Sequence, residues 1–389
     1  MCMIGLVLGL MALAAPTDGA LLLRIEAMVG ERMVFEQYTA KADDWEYTGY
    51  ERIELTAKTE DRLTWKLTSS AKPGTSWSSV SDTKGQVVMS KERPAQQTMT
   101  KSGSSLVPSQ MQFPETPVDI GDEWTVTYAD GQKVYYRLEG VETVNETDCA
   151  KILSWATINL GTAKAQVEST CMIEVATGWL YQRRTSQKFQ LGEVVTWTRR
   201  ATPVKMRLSG KKGDTIKLVA EHAGRTPTKG EQFWSTIELV KVSQGQFTWK
   251  TNRLNDEDGA FWTTVTDSRG VVSSLSNNGT TDKKVEGATN TPALIVFPEQ
   301  GLLPGDSWVH THGYDDYILD YDYTFLGPEK ARGIDCWKIE GRAKWEDVHG
   351  MNSVVVVMWY ERSTGWIVMS ANRIDYKHRG LATMTIVRG

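Results

Sequence analysis

His310-x-His312 is the most metal-like spacing in the chain, because alternate residues of a strand point to one face and two imidazoles so placed can share an ion. Asp315 and Asp316 follow closely, but no third ligand is defined by spacing. Polar residues on a wet sheet face explain the pair more simply, so neither a metal nor any other cofactor is expected. In the run from Asp315 to Asp322, alternation places Asp320 and Asp322 on one strand face and Tyr321 and Tyr323 on the other. Calcium accepts such carboxylates, yet the run lacks the glycine and the terminal glutamate of an EF-type loop. A solvated acidic edge that discourages sheet-to-sheet pairing is the simpler reading, with calcium as the alternative.

Nucleophilic catalysis needs a serine, cysteine or threonine beside a base, and the chain has no G-x-S-x-G elbow and no Gly-rich phosphate loop. No pair of carboxylates stands out for glycoside hydrolysis. All five histidines (His222, His310, His312, His349 and His378) lie after residue 204, which confines histidine chemistry to that half. No catalytic residue is assigned, and an enzyme ranks third among the functional classes. Asn145-Glu-Thr147 and Asn278-Gly-Thr280 match the glycosylation sequon, each in an expected turn.

The four cysteines contain no C-x-x-C pair, which argues against structural zinc. If the turn in Asn159-Leu-Gly161 is centred on residue 160, Cys149 and Cys171 stand directly opposite on one sheet face. The Cα separation of about 4.5–5.5 Å across antiparallel pairs is one that a disulfide can bridge. A Cys149–Cys171 disulfide is therefore expected, with Cys336 unpaired because Met358 occupies the partner position.

These residues must be held by elements, and 389 residues suit two domains better than one. Charged residues make up 24% and hydrophobic ones 40%, with a formal net charge of -4. That balance fits a globular protein, disfavours nucleic acid held by a basic surface, and argues against an integral membrane protein. Met3 to Ala15 is apolar apart from glycine, too short to span a bilayer, and ends in Ala12-Leu13-Ala14, a small-x-small cleavage pattern. Residues 1–14 therefore read as a signal peptide, despite the absence of Lys or Arg before Arg24, and the protein as exported, periplasmic or extracellular.

Comparison of the chain with itself supplies the architecture. Phe113-Pro114-Glu115 recurs as Phe297-Pro298-Glu299 and Gly121-Asp122-Glu123-Trp124 as Gly305-Asp306-Ser307-Trp308, both at an offset of 184. Asp148-Cys149 recurs as Asp335-Cys336 and Thr177-Gly178-Trp179 as Thr364-Gly365-Trp366, at an offset of 187. Two copies of one domain, 22–200 and 205–389, are expected, joined near Ala201-Thr-Pro203. Within each, Glu31 to Tyr38 and Val354 to Tyr360 show the β-branched and aromatic character of strands, and turn residues arrive every eight to twelve positions. Helices should be short or absent. Thr-Gly-Trp reads as a hairpin tip, as do Lys84-Gly85, Arg269-Gly270, Asp130-Gly131 and the pair Ser70 to Gly74 and Asn255 to Gly259. Arg93 to Pro108 and Asn277 to Pro292 read as crossing loops. The fold class is all-β: two tandem, homologous antiparallel meanders, each a curled sheet, half-barrel or sandwich. Tryptophans at matched positions, such as Trp65 with Trp249 and Trp124 with Trp308, are read as packing. Trp45, Trp155, Trp337, Trp345 and Trp359 occur in one copy alone and are better candidates for function.

This order, with an early Gly-Asp step at Lys212-Gly213-Asp214, a Phe-Pro segment leading to Gly-Asp-x-Trp, a cysteine strand and a final Thr-Gly-Trp, resembles uncharacterised β-rich domains of exported bacterial proteins. More distantly it resembles the half-barrel of periplasmic lipoprotein carriers, which implies a concave face that shelters acyl chains. The expectation is thus a non-enzymatic binding module for a lipid-like ligand or a protein segment. The runner-up is a structural or surface-assembly protein built from duplicated β domains.

Overall fold

The computed structural model describes residues 20–42, 44–91, 108–128, 131–160, 163–223, 233–253, 261–277, 280–282, 291–314, 317–347, 349–377 and 380–388. The expected signal segment, Asn255 to Gly259, Asp315, Asp316 and Asn278 lie outside these. Among the described residues none is helical, and no helix is long and apolar enough to cross a membrane.

The strands of the first sheet are β1 Arg32–Lys41, β2 Asp44–Lys58, β3 Leu63–Ser69, β4 Ser76–Ser81, β5 Val87–Lys91, β6 Glu123–Thr127, β7 Lys133–Val144, β8 Thr147–Leu160, β9 Ala163–Glu174, β10 Leu180–Phe189 and β11 Gly192–Arg200. Those of the second are β12 Thr215–Ala223, β13 Phe233–Ser243, β14 Gln246–Arg253, β15 Phe261–Thr266, β16 Val272–Asn277, β17 Thr280–Asp282, β18 Ser307–Tyr314, β19 Tyr317–Ala331, β20 Ile334–Asp347, β21 Gly350–Glu361, β22 Ile367–Tyr376 and β23 Gly380–Arg388. The first sheet runs β5, β4, β3, β2, β1, β11, β10, β9, β8, β7, β6. The second runs β17, β16, β15, β14, β13, β12, β23, β22, β21, β20, β19, β18, the same order with one short strand added. That strand, β17, pairs with β16 and falls inside the stretch read from sequence as a loop. Neither order returns on itself, so both sheets are open.

By packing density the chain divides into two compact units: Met1–Arg32, Ile53–Leu67 and Trp77–Trp197 in one, Met33–Arg52, Thr68–Ser76 and Thr198–Gly389 in the other. This division cuts across the 22–200 segment, because β1 and the front of β2 group with the later chain.

Curl follows from the core of the second unit. Trp249 on β14 meets Trp366, which leads into β22, edge to face with ring centroids 5.7 Å apart. Four strand spacings separate those strands, about 19 Å in a flat sheet. The sheet therefore bends until its inner rows touch, and Phe297, Phe325, Ile339 and Tyr360 fill the same core. In the first unit Trp65 meets Trp179 in the same way at 6.2 Å.

The repeated motifs sit at the joints of this packing. Gly178 and Gly365 turn the chain with φ of 67° and 69°, and the Trp179 and Trp366 indoles donate to the carbonyls of Glu26 and Ser209, both at 2.8 Å. The Phe-Pro-Glu segments present carbonyls to an arginine. Arg24 donates to the carbonyls of Pro114 and Glu115, and Arg207 to those of Pro298 and Glu299.

Candidate functional site

Alternation along β7 to β10 sends every second side chain outward, and the register decides which of them become neighbours. Tyr135 stands opposite Trp155, Trp155 opposite Glu168, and Glu168 opposite Ser186. Two residues further along, Thr157, Gln166 and Lys188 form a second row. Together the rows outline a groove of about 310 Å³, at the small end of the roughly 300–1,000 Å³ usual for ligand sites. The Tyr135 and Trp155 rings lie nearly parallel at 12°, with centroids 5.8 Å apart. Among the described residues, the side chains of Gln166, Glu168 and Lys188 make no hydrogen bond or ion pair, so their polar atoms stay available to a ligand. A little further toward the strand ends, Lys164, Phe189, Leu191 and Val194 line a second, mainly apolar pocket of about 510 Å³, with Leu191 fully exposed at the β10–β11 tip.

The corresponding row of the second sheet reads Asp322, Arg342, Val355 and Arg373 in the same cross-strand register. The aromatic groove is thus private to the first sheet. Of the tryptophans without a counterpart, Trp155 alone lines it. Trp337 packs edge to face on Phe325, Trp345 on Tyr376, and Trp359 is buried with its indole donating to Glu329 at 3.0 Å. Trp45 is half-buried on β2.

The histidine pair is not on a wet face, which corrects the sequence reading. His310 and His312 share the inner face of β18, opposite Tyr321 and Leu319, because the outward residues of that strand are Ser307, Val309 and Thr311. His312 is 3% exposed, and its Nε2 lies 2.8 Å from the Tyr323 hydroxyl. In the first sheet Tyr128 takes that place, its hydroxyl 3.3 Å from that of Tyr136. Burial pushes the His312 imidazole down to about 4, with the neighbouring His310 adding to the shift. Burial, aided by Arg269, also lowers His310. Among the described residues no three His, Cys, Asp or Glu side chains gather as a metal site would require. Asp320 and Asp322 point outward, with Asp320 accepting from Thr311 Oγ1 at 2.6 Å.

The Cys149–Cys171 disulfide is a second correction. Leu160 pairs with Ala163, so the turn is centred later than residue 160, and Cys149 stands opposite Glu174 while Cys171 stands opposite Ile152. An odd displacement of three residues sends the two thiols to opposite faces. Cys149, Cys171 and Cys336 are buried and none is in a disulfide. Cys336 packs with Ala331, Trp359 and Val368. Burial raises the thiols of Cys171 and Cys336 to about 11.

Sequence reasoning missed Tyr135, Glu168 and Lys188, whose proximity depends on register alone, and the Arg24 and Arg207 clamps, whose signal was an arginine upstream of each repeated motif.

No family model matches the chain, and no curated protein does. Among solved structures it is similar to a protein of unknown function from the DUF3598 family of Nostoc punctiforme PCC 73102, at 10% identity over 92% of this chain and 94% of that one. The TM-score is 0.13, and no argument rests on the likeness.

Proposed function

We propose that the protein is an exported, non-enzymatic binding module for a lipid-like, amphiphilic ligand. The observation that carries this reading is the adjacency of two unlike pockets on the first sheet. The Tyr135–Trp155 groove offers ring faces and the free polar groups of Gln166, Glu168 and Lys188 to a polar head. The neighbouring pocket offers Phe189, Leu191 and Val194 to an apolar tail. Each methylene buried there contributes about 0.8 kcal/mol, to which the head group's hydrogen bonds add. The groove contributes one carboxylate, Glu168, where glycoside hydrolysis uses two, which favours binding over catalysis. We read the two sheets as descendants of one duplicated unit, supported by their common strand order and by the paired Trp179 and Trp366 bonds. On that reading the second sheet kept the scaffold without the groove.

Isothermal titration with dodecyl maltoside and with lysophosphatidylcholine, both below their micelle concentrations, tests the proposal. Wild-type protein should bind at least one of them, and Trp155→Ala and Leu191→Asp should each weaken binding about tenfold or more, a loss of about 1.4 kcal/mol. Absence of binding to both amphiphiles, or wild-type affinity retained by both variants, would refute it.

A further inference from the structure

Within the second unit, the front of β2 lies against the approach to β18 and the later part of β19. The Tyr50 ring covers Gly305 so closely that a Cβ there would stand 2.8 Å from it, and the Tyr47 ring covers Gly327 in the same manner. Tyr47 donates its hydroxyl proton to the Leu326 carbonyl at 3.0 Å. Arg52 Nη2 reaches Asp306 Oδ1 at 2.7 Å, in an ion pair with side chains only 19% and 13% exposed. The other Asp306 oxygen, Oδ2, accepts from its own turn, at Leu303 N and 2.8 Å. Two glycines, an aspartate and a buried Pro304 thus form a receptor for a strand carrying Tyr-x-x-Tyr-x-Arg.

The first sheet carries the same turn and bulge, with nothing over either glycine among the described residues. Gly121 N donates to Leu138 O at 2.7 Å and Leu138 N to Asp122 O at 3.1 Å, as Gly305 and Phe325 do with their counterparts at 2.6 and 2.9 Å. Both sheets carry a bulge at the second glycine, Leu138/Gly140 in one and Phe325/Gly327 in the other. Asp122 Oδ2 accepts from Asp119 N at 2.9 Å, as Asp306 does from Leu303, while Oδ1 has no partner among the described residues. A Cβ at Gly121 or Gly140 would meet nothing within 4 Å, and Ile120 is 68% exposed where Pro304 is buried.

We infer that Ile120, Gly121, Asp122 and Gly140 form a docking site for an extended strand from another polypeptide that presents two tyrosines and an arginine in the spacing of Tyr47, Tyr50 and Arg52. Tyrosine and arginine are enriched among the residues that carry most of an interface's binding energy, and an arginine–carboxylate pair is among the stronger hydrogen bonds. The chain's own segment 44–52 already occupies the second unit. The positions that correspond to it 184 residues later are Glu231, Trp234 and Thr236, which lack the arginine that Asp122 calls for.

A fluorescein-labelled peptide of residues 44–53 titrated into the full-length protein tests this by anisotropy. Gly140→Leu fills the slot for the first tyrosine, at a position where a side chain meets no neighbour, so its thermal melt should match wild type. The site predicts saturable binding, weakened at least tenfold by Gly140→Leu in the protein and by Arg→Glu at the position of Arg52 in the peptide. Binding absent up to about 1 mM, or insensitive to Gly140→Leu, overturns the inference. A protein dimer that Gly140→Leu dissolves also overturns it, since the occupant would then be a second copy of this chain.

Discussion

His312 Nε2 lies 2.8 Å from the Tyr323 hydroxyl on an inner sheet face, with His310 and Tyr321 packed around the imidazole. This buried ring, held down to about 4 by desolvation, makes stability depend on pH. The unfolded value is near 6.5, so between the two values the unfolded chain binds more protons. The stabilisation is complete above about pH 6.5 and is lost as pH falls toward 4, by about 3 kcal/mol at the low end. His312→Tyr restores the Tyr–Tyr pair of the first sheet and should remove this component. Urea midpoints measured from pH 7 to 4.5 should fall more steeply for wild type than for the variant, and parallel curves would contradict the assignment.

Gly365 carries the other sharp expectation. Its φ of 69° is one that side chains with a Cβ rarely adopt, and an added methyl would collide with the Arg207 carbonyl. Gly365→Ala therefore combines backbone strain with displacement of the segment whose Ser209 amide donates to the Thr364 carbonyl and whose Ser209 carbonyl accepts from the Trp366 indole, and should cost about 2–4 kcal/mol. Gly333→Ala, at φ 80° with nothing near the new methyl, should cost about 1 kcal/mol. Denaturant unfolding of the two variants checks the order, and equal losses would show that the Arg207 contact yields easily.

The features legible in the sequence were those written locally. Gly85, Gly178, Gly270 and Gly365 sit with positive φ at the tips where turn chemistry placed them. The strand periodicity at Val354 to Tyr360 became part of β21. Trp155 stood out for want of a counterpart, and it lines the groove. What could not be read was register and facing. Tyr135, Trp155 and Glu168 are separated by 20 and 13 residues, and only the pairing of β7, β8 and β9 makes them a row. Alternation says that His310 and His312 share a face but not which face. That choice belongs to Tyr321 and Tyr323, which the core of the second unit recruits inward. The front of β2 grouping with the later chain is likewise a tertiary outcome, since nothing local in Tyr47 or Arg52 announces Leu326 or Asp306.

The cysteines give the last prediction, because register converts directly into chemistry. With Cys149 opposite Glu174 and Cys171 opposite Ile152, the two side chains leave opposite faces of adjacent strands, and no rotamer brings the sulfurs to bonding distance. The second sheet repeats this register, with Cys336 opposite Glu361. Burial that lifts Cys171 to about 11 leaves about one thiolate in a thousand at pH 8, against about a quarter for an unperturbed thiol near 8.5. The folded protein should therefore resist iodoacetamide at Cys149, Cys171 and Cys336, and all three should alkylate once it is unfolded in denaturant without reductant. Non-reducing peptide mapping reads the result directly. A linked Cys149–Cys171 peptide would require β8 and β9 to slip by three residues, which would send Ile152 and Ile173 to opposite faces and turn one of these two fully buried side chains out of the core of the first unit.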